Sequence, residues 1–281
     1  MVVIWGAVEL GLVFALVALG IYLTLRIIDF PDMTVNSSFT LGAAISGVLL
    51  LKGVNPIIAT LASLIGGALA GSVTAYLNVK IKIQSLLAGI IVMIGLYSIN
   101  LRIMNKPNLS LINTKTIFSV CDSTIFLMLC VVVVIGALLA FFLLSEIGLG
   151  IRASGQNYKM GEAYGVSKNF TITVVLGLSN ALVALSGALF SQMQGFVDMN
   201  MGQGVIIIGL VSVIIGEKLV HKTDVPIMIV FCMLGAIIYK LVIALALETS
   251  SFGFKSSDVH LATALLIVAF MLGGKGNKML R

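Results

Sequence analysis

The polar side chains that could bind or react are concentrated in residues 150–170, GIRASGQNYKMGEAYGVSKNF, which lie between two long apolar stretches. The four charged groups here cannot be buried in hydrocarbon without a large free-energy cost; they are Arg152, Lys159, Glu162 and Lys168. Apolar and aromatic residues alternate with them, namely Tyr158, Met160, Ala163 and Tyr164. Such a mixed surface suits docking into a partner's groove. We therefore interpret residues 145–170 as a docking loop outside the hydrocarbon that contains a short helix, with an ordinary solvated loop that has no partner as the alternative.

The rest of the sequence lacks a recognisable catalytic constellation. No GxxxxGK[ST] motif is present to cradle ATP phosphates, and the segment GGKG at 273–276 has the wrong spacing. There is no HExxH motif and no Ser/His/Asp arrangement, and His260 has no partner at metal-ligand spacing. We predict that the chain is not an enzyme and holds neither a metal nor a cofactor of its own.

The composition is typical of a chain that spans a lipid bilayer. Of its 281 residues, 59% are hydrophobic and 10% are charged, whereas soluble domains are roughly 25% charged. One crossing takes about 20 apolar residues, so we predict a single all-α integral membrane domain, 1–281, with about nine transmembrane helices. The predicted spans are 2–25, 38–51, 57–78, 85–101, 124–144, 171–196, 204–217, 226–247 and 258–273. The second, seventh and ninth are short, which favours broken or re-entrant helices.

The basic residues predict an orientation in the membrane. The net charge of +6 comes from residues between spans, a pattern typical of membrane orientation rather than of nucleic-acid binding. With 145–170 in the cytoplasm, the N-terminus is outside and the C-terminus is cytoplasmic. Eleven of the 17 basic residues then lie inside: Arg26, Lys80, Lys82, Arg152, Lys159, Lys168, Lys218, Lys222, Lys275, Lys278 and Arg281.

Nine spans also predict an inverted repeat. If the first four helices match the last four at an offset of five, matching helices run in opposite directions, because an odd offset reverses each one. Residues 64–76, LIGGALAGSVTAY, and 229–239, IVFCMLGAIIY, show a faint similarity of this kind. Inverted repeats are typical of transporters, with the substrate route at their interface.

Residues 150–166 resemble the cytoplasmic coupling segment of ABC importer permeases of the branched-chain amino acid and ribose permease superfamily. The resemblance rests on Arg152, Ala153, Gly155, Asn157, Met160, Ala163, Gly165 and Val166. Three further segments, 29–44, 86–108 and 215–217, resemble the subgroup of tryptophan- and tyrosine-type permeases. The resemblance implies a homodimer in a bacterial cell membrane, two ATPase subunits that carry ATP and Mg, and an extracytoplasmic substrate-binding lipoprotein. It assigns ATPase coupling to Arg152, Ser154, Gly155, Asn157, Tyr158, Met160, Ala163, Tyr164 and Gly165.

Hydroxyl and amide side chains in the second and fourth spans are the candidates for a translocation pathway. These residues are Thr34, Asn36, Ser37, Ser38, Ser98 and Asn100. Polar groups in hydrocarbon must bond to backbone, water or substrate; the alternative for Asn36 and the serines is that they cap a helix N-terminus. Glu9 and Lys240 are the clear intramembrane charges, and both lie toward the outer side.

We therefore predict the membrane subunit of an ATP-driven importer for a small solute, with an aromatic or other amino acid favoured. An importer of the same class for a nucleoside or a sugar is one alternative. A stand-alone, ion-coupled secondary transporter is the other, although it would require more charges at mid-membrane.

Overall fold

A computed structural model describes residues 2–119, 123–163, 165–220 and 224–248 of the chain. Seven helices in this part are long and apolar enough to cross a membrane by length and composition. They are α1 (Val2–Tyr22), continued by a π-helical turn at Leu23–Ile27, α2 (Thr34–Leu51), α3 (Pro56–Val79), α4 (Ser85–Met104), α5 (Thr124–Leu144), α8 (Lys168–Gln194) and α10 (Val225–Glu248). The shorter helices are α6 (Glu146–Gln156), α7 (Tyr158–Ala163) and α9 (Val205–Leu219).

The all-helical class predicted from composition is confirmed. Eight of the nine predicted spans correspond to α1–α5, α8, α9 and α10. The ninth predicted span, 258–273, lies outside the described residues, as do Asp258 and His260. Helix α9 has only 15 residues, so it is the one predicted span among the eight that falls short of a full crossing.

The second span is longer than predicted, because α2 begins at Thr34 rather than at residue 38. Oδ1 of Asp32 accepts a hydrogen bond from the Thr34 backbone N–H at 2.9 Å, which satisfies one of the unpaired donors at the helix start. Asn36, Ser37 and Ser38 do not cap α2, because they lie within the helix; Asn36 instead caps the start of α9. The polar run instead forms the first two turns of α2.

Two helices, α1 and α8, form the centre of the bundle. The apolar stretches of α1 and α8 are 78% and 83% buried, against 28% for α4 and for α5. Ser186 Oγ donates to the Val13 carbonyl at 2.7 Å, and Ser179 Oγ donates to the Gly20 carbonyl at 2.8 Å. Residue numbers rise along one helix as they fall along the other, so α1 and α8 are antiparallel.

Each central helix packs against a pair of helices from the other half of the chain: α8 against α2 and α3, and α1 against α9 and α10. Helix α2 runs parallel to α8, and α3 runs antiparallel to it. The contacts that set these directions are Ser38 to Asn180 and Ser46 to Gln192 for α2, with Gly67 to Asn180 and Gly71 to Leu176 for α3. A Cβ at Gly67 or Gly71 would collide with the α8 backbone, so these two glycines, spaced as a GxxxG pair, allow α3 and α8 to pack closely.

The arrangement around α1 repeats the one around α8. Helix α9 runs parallel to α1, and α10 runs antiparallel to α9. The contacts that set these directions are Gly209 to Ile21 and Arg26 to Glu217 for α9 with α1, and Ser212 to Gly235 and Gly216 to Phe231 for α9 with α10. Helices α1, α2 and α3 thus form one set, and α8, α9 and α10 form another. The first helix of each set packs against the second and third helices of the other set, in the same relative directions.

The loops meet at two opposite ends of the bundle. At one end, which we call the sheet end, β1 (Asn108–Ser110) pairs antiparallel with β2 (Phe196–Asp198), with Leu109 opposite Val197. Leu111 and Val197 are buried there against Leu50. The other end, which we call the α6 end, carries α6, α7 and residues 23–33. The small sheet was not predicted, because three-residue strands carry too little sequence pattern to detect.

Candidate functional site

The polar segment at the α6 end folds as two helices that are closed by their own capping residues. Ser145 Oγ accepts a hydrogen bond from Gly148 N at 3.3 Å at the start of α6. Asn157 Oδ1 accepts from Lys159 N at 3.0 Å at the start of α7. Ser167 Oγ accepts from Phe170 N at 3.3 Å where α8 begins. A serine or asparagine at each start satisfies an unpaired backbone donor, so each of these helices begins at a residue that caps it.

One face of α6 is seated on the membrane bundle. Ile151 and Ser154 are fully buried, and Gly155 lies so close to Ile27 that a Cβ there would collide with the Ile27 carbonyl oxygen. On the same helix, Gly150 contacts Val166, and Ser154 contacts Gly161 of α7. Residues 150–155 thus join α7 to the π-helical turn at the end of α1.

The opposite face of the segment is exposed and charged. Lys159, Glu162 and Ala163 are exposed in α7, and Lys168 Nζ lies 4.2 Å from the centroid of the half-buried Tyr158 ring. Partial burial raises the pKa of the Tyr158 hydroxyl above its usual value, and the Asp29 carboxylate adds to that rise. Tyr164, which was predicted to belong to this surface, lies outside the described residues.

Arg152, another predicted coupling residue, faces a cavity at the same end. The cavity has a volume of about 480 Å³, and Leu144, Arg152 and Asp224 are among its lining residues. Nearby, Arg26 in the π-helical turn forms an ion pair with Glu217 at the end of α9. The α6 end therefore links the coupling segment to both α1 and the α9–α10 pair.

A buried polar network at the start of α2 was not identified from the sequence. Asp32 is 2% exposed, and its Oδ2 accepts a hydrogen bond from Asn180 Nδ2 at 2.7 Å. Asn180 Oδ1 accepts from Ser38 Oγ at 2.7 Å, and the Thr34 and Thr74 hydroxyls are 2.7 Å apart. Burial raises the pKa of the Asp32 carboxyl, whereas hydrogen bonds from Thr34 and Asn180 oppose that rise. We call Asp32, Thr34, Ser38, Thr74 and Asn180 the Asp32 network.

A helix start explains how a carboxyl group can be buried there with no cation among its described partners. The N-terminus of α2 carries a partial positive charge that stabilises an anion, and the Thr34 N–H supplies a hydrogen bond. A second such cluster lies toward the sheet end, where Gln192 Nε2 donates to the Ser46 and Thr60 hydroxyls, each at 2.9 Å. An amide inside an apolar span, as at Asn180 and Gln192, is the sequence signal that could have indicated both of these buried polar clusters.

The predicted pathway residues separate into three groups. Thr34 and Ser38 are fully buried in the Asp32 network. Asn36 Oδ1 accepts a hydrogen bond from Ile206 N at 3.1 Å and so caps the start of α9. The third group, which we call the α2–α4 polar strip, consists of Ser37, Ser98 and Asn100.

Ser37 and Asn100 of the strip are in contact. Ser37 Oγ donates to the Met93 carbonyl at 2.9 Å, and Asn100 Nδ2 donates to the Ser37 carbonyl at 3.2 Å. The side-chain oxygen of Asn100 is buried and has no hydrogen-bond partner among the described residues. Ser98, two residues before Asn100 and so about 200° away around α4, is exposed. Buried side-chain acceptors without a partner are uncommon in folded proteins.

These features together define a multi-pass membrane protein in which a polar two-helix segment is seated at one end of the bundle. The sequence profile of the family described as "Branched-chain amino acid transport system / permease component" matches residues 4–272. A tyrosine transport system permease protein of Clostridioides difficile (strain R20291) is 40% identical over 267 residues, which cover 95% of this chain and 90% of the relative. No solved structure matches the chain.

Two further relatives span similar lengths. An uncharacterized protein of Rickettsia prowazekii (strain Madrid E) is 30% identical over 248 residues, covering 86% of this chain and 88% of the relative. A probable branched-chain amino acid transport permease protein, LivH, of Methanocaldococcus jannaschii is 26% identical over 294 residues, with 98% and 93% covered. The chain belongs to the branched-chain amino acid permease family, and it is an ABC-type membrane permease. The predicted resemblance is confirmed, and relatives of this kind are transport subunits rather than enzymes.

Proposed function

We propose that this permease is the transmembrane subunit of an ABC importer that brings an aromatic amino acid, tyrosine in the first instance, into a bacterial cell. The observation that carries the proposal is the 40% identity to a tyrosine transport permease over 95% of the chain. The working unit is a homodimer in the cell membrane. Two ATPase subunits bind ATP and Mg beneath it, and an extracytoplasmic lipoprotein delivers the solute.

The exposed face of α6 and α7 is the docking surface for the ATPase in this proposal. It combines charges at Lys159 and Glu162 with the small apolar Ala163, a mixture suited to a partner's groove. The buried face of α6 contacts the end of α1 at Ile27, so movement of the ATPase pair is passed to a central helix of the bundle. Binding of nucleotide then shifts the dimer between the inward-open and outward-open states, because nucleotide binds one of these states more tightly than the other.

Replacing Ala163 by tryptophan tests this docking surface together with the function. Because Ala163 is exposed, a bulky side chain there leaves the permease folded but prevents close approach of a partner. We expect the co-purifying ATPase to be lost and labelled-tyrosine uptake into proteoliposomes to fall about tenfold or more, as a loss of 1.4 kcal/mol or more in docking free energy implies.

The matched control is Ala137→Trp, which makes the same change at an exposed position of α5 and should retain wild-type uptake. Wild-type uptake with bound ATPase in the Ala163→Trp variant would contradict the docking assignment. Import of a labelled nucleoside but not of tyrosine, leucine or tryptophan would contradict the proposed solute.

The proposed solute route runs along the dimer axis past α2 and α4. The candidates on or facing α4 are Ser37, Ser98 and Asn100; Ser98 is exposed, and the Asn100 amide oxygen has no partner among the described residues. Thr34, Asn36 and Ser38 support the route from behind in this proposal, because Thr34 and Ser38 are fully buried and Asn36 caps the start of α9. Neutral groups of this kind accompany a zwitterion without trapping it.

The proposed inverted repeat is supported by the exchange of contacts between the two halves. Helices α2 and α3 flank α8 in the same parallel and antiparallel senses in which α9 and α10 flank α1, while α1 and α8 are antiparallel. Residues 64–76 and 229–239, the pair with faint sequence similarity, occupy the equivalent helices α3 and α10. We propose that the α6 end is cytoplasmic and the N-terminus is outside.

Single cysteines at two asparagine positions test this orientation. In a background without Cys121, Cys130 and Cys232, we expect Asn108→Cys to react with an impermeant maleimide from outside intact cells. Asn157→Cys should react only after permeabilisation, because both sites are exposed but lie at opposite ends of the bundle. The reverse labelling pattern would overturn the orientation without affecting the family relation.

A further inference from the structure

A cavity of about 690 Å³ opens between α1, the end of α8 and α10, at the sheet end of the bundle. Its volume falls within the roughly 300–1,000 Å³ of small-molecule sites. Most of its wall is apolar, and its polar side chains are Glu9 of α1, Gln194 of α8 and Lys240 of α10. This cavity is separate from the α2–α4 polar strip and from the α6 end.

The cavity contains opposite charges that are not paired with each other. Glu9 and Lys240 both line it, yet neither forms an ion pair at 4.0 Å or less with a described residue. Each is only partly exposed. Partly desolvated charges in a membrane protein are costly unless something pairs with them, so both retain the capacity to bind an opposite charge.

An aromatic cluster sets the position of the Lys240 ammonium. Lys240 Nζ lies 4.0 Å from the centroid of the Phe14 ring. Phe14 is 4% exposed and packs against Phe39 and Phe190, with ring centroids 5.9 and 5.8 Å away. A cation–π contact holds an ammonium without using up its N–H donors on a carboxylate. Lys240 is therefore presented to the cavity as a fixed cation with donors to spare.

We propose that this cavity is a binding site for a free α-amino acid, in which Lys240 binds the carboxylate and Glu9 binds the ammonium. The apolar wall receives the side chain, and the Gln194 amide lies at the rim. A ligand with only one charge would leave Glu9 or Lys240 unpaired, so the cavity discriminates in favour of a zwitterion. The choice of an aromatic amino acid rests on the proposed function, whereas the zwitterion chemistry rests on the cavity alone.

The test measures binding of labelled tyrosine to the purified permease in phosphatidylcholine nanodiscs. We expect Glu9→Gln and Lys240→Met each to weaken binding about tenfold or more, since each removes a charge-assisted hydrogen bond. Tyramine, which lacks the carboxylate, should compete with tyrosine in wild type and lose that ability in Glu9→Gln. 4-Hydroxyphenylpropionate, which lacks the ammonium, should lose it in Lys240→Met.

Two controls keep the result specific to this cavity. Lys52→Met makes the same change at an exposed lysine of the same end and should bind tyrosine as wild type does. The single tryptophan of the chain, Trp5, lies one helical turn from Glu9, so its emission should change on tyrosine binding in wild type but not in Glu9→Gln. Lys240→Arg keeps the positive charge, so it should bind tyrosine more tightly than Lys240→Met does. This comparison separates loss of the charge from damage to the fold.

The outcomes separate the site from the proposed function. Equal tyrosine affinity in wild type, Glu9→Gln and Lys240→Met would overturn the site, even if tyrosine is transported. Charge-dependent tyrosine binding without tyrosine uptake would keep the site and overturn the proposed function. Phosphatidylethanolamine carries the same pair of charges in a lipid headgroup; if it displaces tyrosine completely when added to the nanodiscs, the cavity is a lipid site and the amino-acid assignment is wrong.

Discussion

A valine in place of Gly155 is expected to abolish transport while leaving the permease in the membrane. The Cβ of any residue other than glycine at this position collides with the Ile27 carbonyl oxygen, and backbone atoms cannot move aside as a flexible side chain can. Overpacking of this kind costs about 1–3 kcal/mol, which corresponds to a factor of about 5–150 in the population of correctly seated α6. Labelled-tyrosine uptake in proteoliposomes with the ATPase partner measures the effect.

The loss of uptake in Gly155→Val should be specific to the contact between α6 and Ile27. Gly95→Val is the matched control, because a Cβ at Gly95 of α4 meets no atom within 4 Å. Gly155 also differs from Ala163, since it contacts its own chain, whereas Ala163 is exposed. Gly155→Val should therefore retain part of its bound ATPase while losing uptake, and Ala163→Trp should lose both. Wild-type uptake by Gly155→Val would show that the contact with Ile27 transmits nothing.

A second large effect is expected from the Asp32 network. Replacing Asn180 by leucine keeps the branched shape and the number of heavy atoms but removes the donor to Asp32 Oδ2 and the acceptor for Ser38. A buried carboxyl oxygen without its donor costs about 1–3 kcal/mol, and more if it is charged. Because a folded domain is stable by only about 5–15 kcal/mol, we expect a clear fall in the apparent melting temperature, read by size-exclusion chromatography after heating.

The control for this effect lies on the same helix. Asn169 is exposed near the start of α8, so Asn169→Leu should leave the melting temperature within a few degrees of wild type, as expected for surface changes. An equal melting temperature for Asn180→Leu would mean that the network contributes nothing to stability.

An exchange of the two side chains tests the pairing directly. Asp32→Asn alone places an amide donor against either Thr34 N or Asn180 Nδ2, because both neighbours donate to the wild-type carboxyl group. Combining it with Asn180→Asp restores a donor–acceptor pair across the same contact. The double variant should recover part of the stability lost in Asp32→Asn, although the bond from Asn180 to the Leu176 carbonyl is lost. Additive losses would argue against direct coupling.

The sequence predicted the helices better than it predicted their contacts. Whether a segment enters the bilayer depends on the transfer free energy of about 20 consecutive residues, a property of local sequence. The spans at α3, α5 and α10 were therefore found within a few residues of their bounds. The start of α2 was placed too late, because its first turn is polar and carries no apolar run. The Thr34 N–H donates to Asp32 instead.

The polar segment was equally readable from the sequence, since charges at Arg152, Lys159 and Glu162 exclude it from hydrocarbon wherever the rest of the chain goes. Its division into α6 and α7 follows from Asn157 as a cap, a signal present in the sequence. The contact between Gly155 and Ile27 could not be predicted from the sequence. Nothing near residue 27 marks it as the partner of a residue more than a hundred positions later.

Burial of individual polar side chains was decided by tertiary structure alone. Asp32 lies between spans and reads as a loop residue, yet it is buried because the α2 start is packed against Asn180 of α8. Ser37 and Ser38 are neighbours in sequence, but a helix turns successive residues by about 100°, so one faces α4 and the other α8. The sequence determined a membrane permease with a polar segment between two spans, since composition and local motifs carry that information. Which helices meet, and hence which polar groups pair, depended on small residues such as Gly67 and Gly71 matching the α8 backbone across the fold.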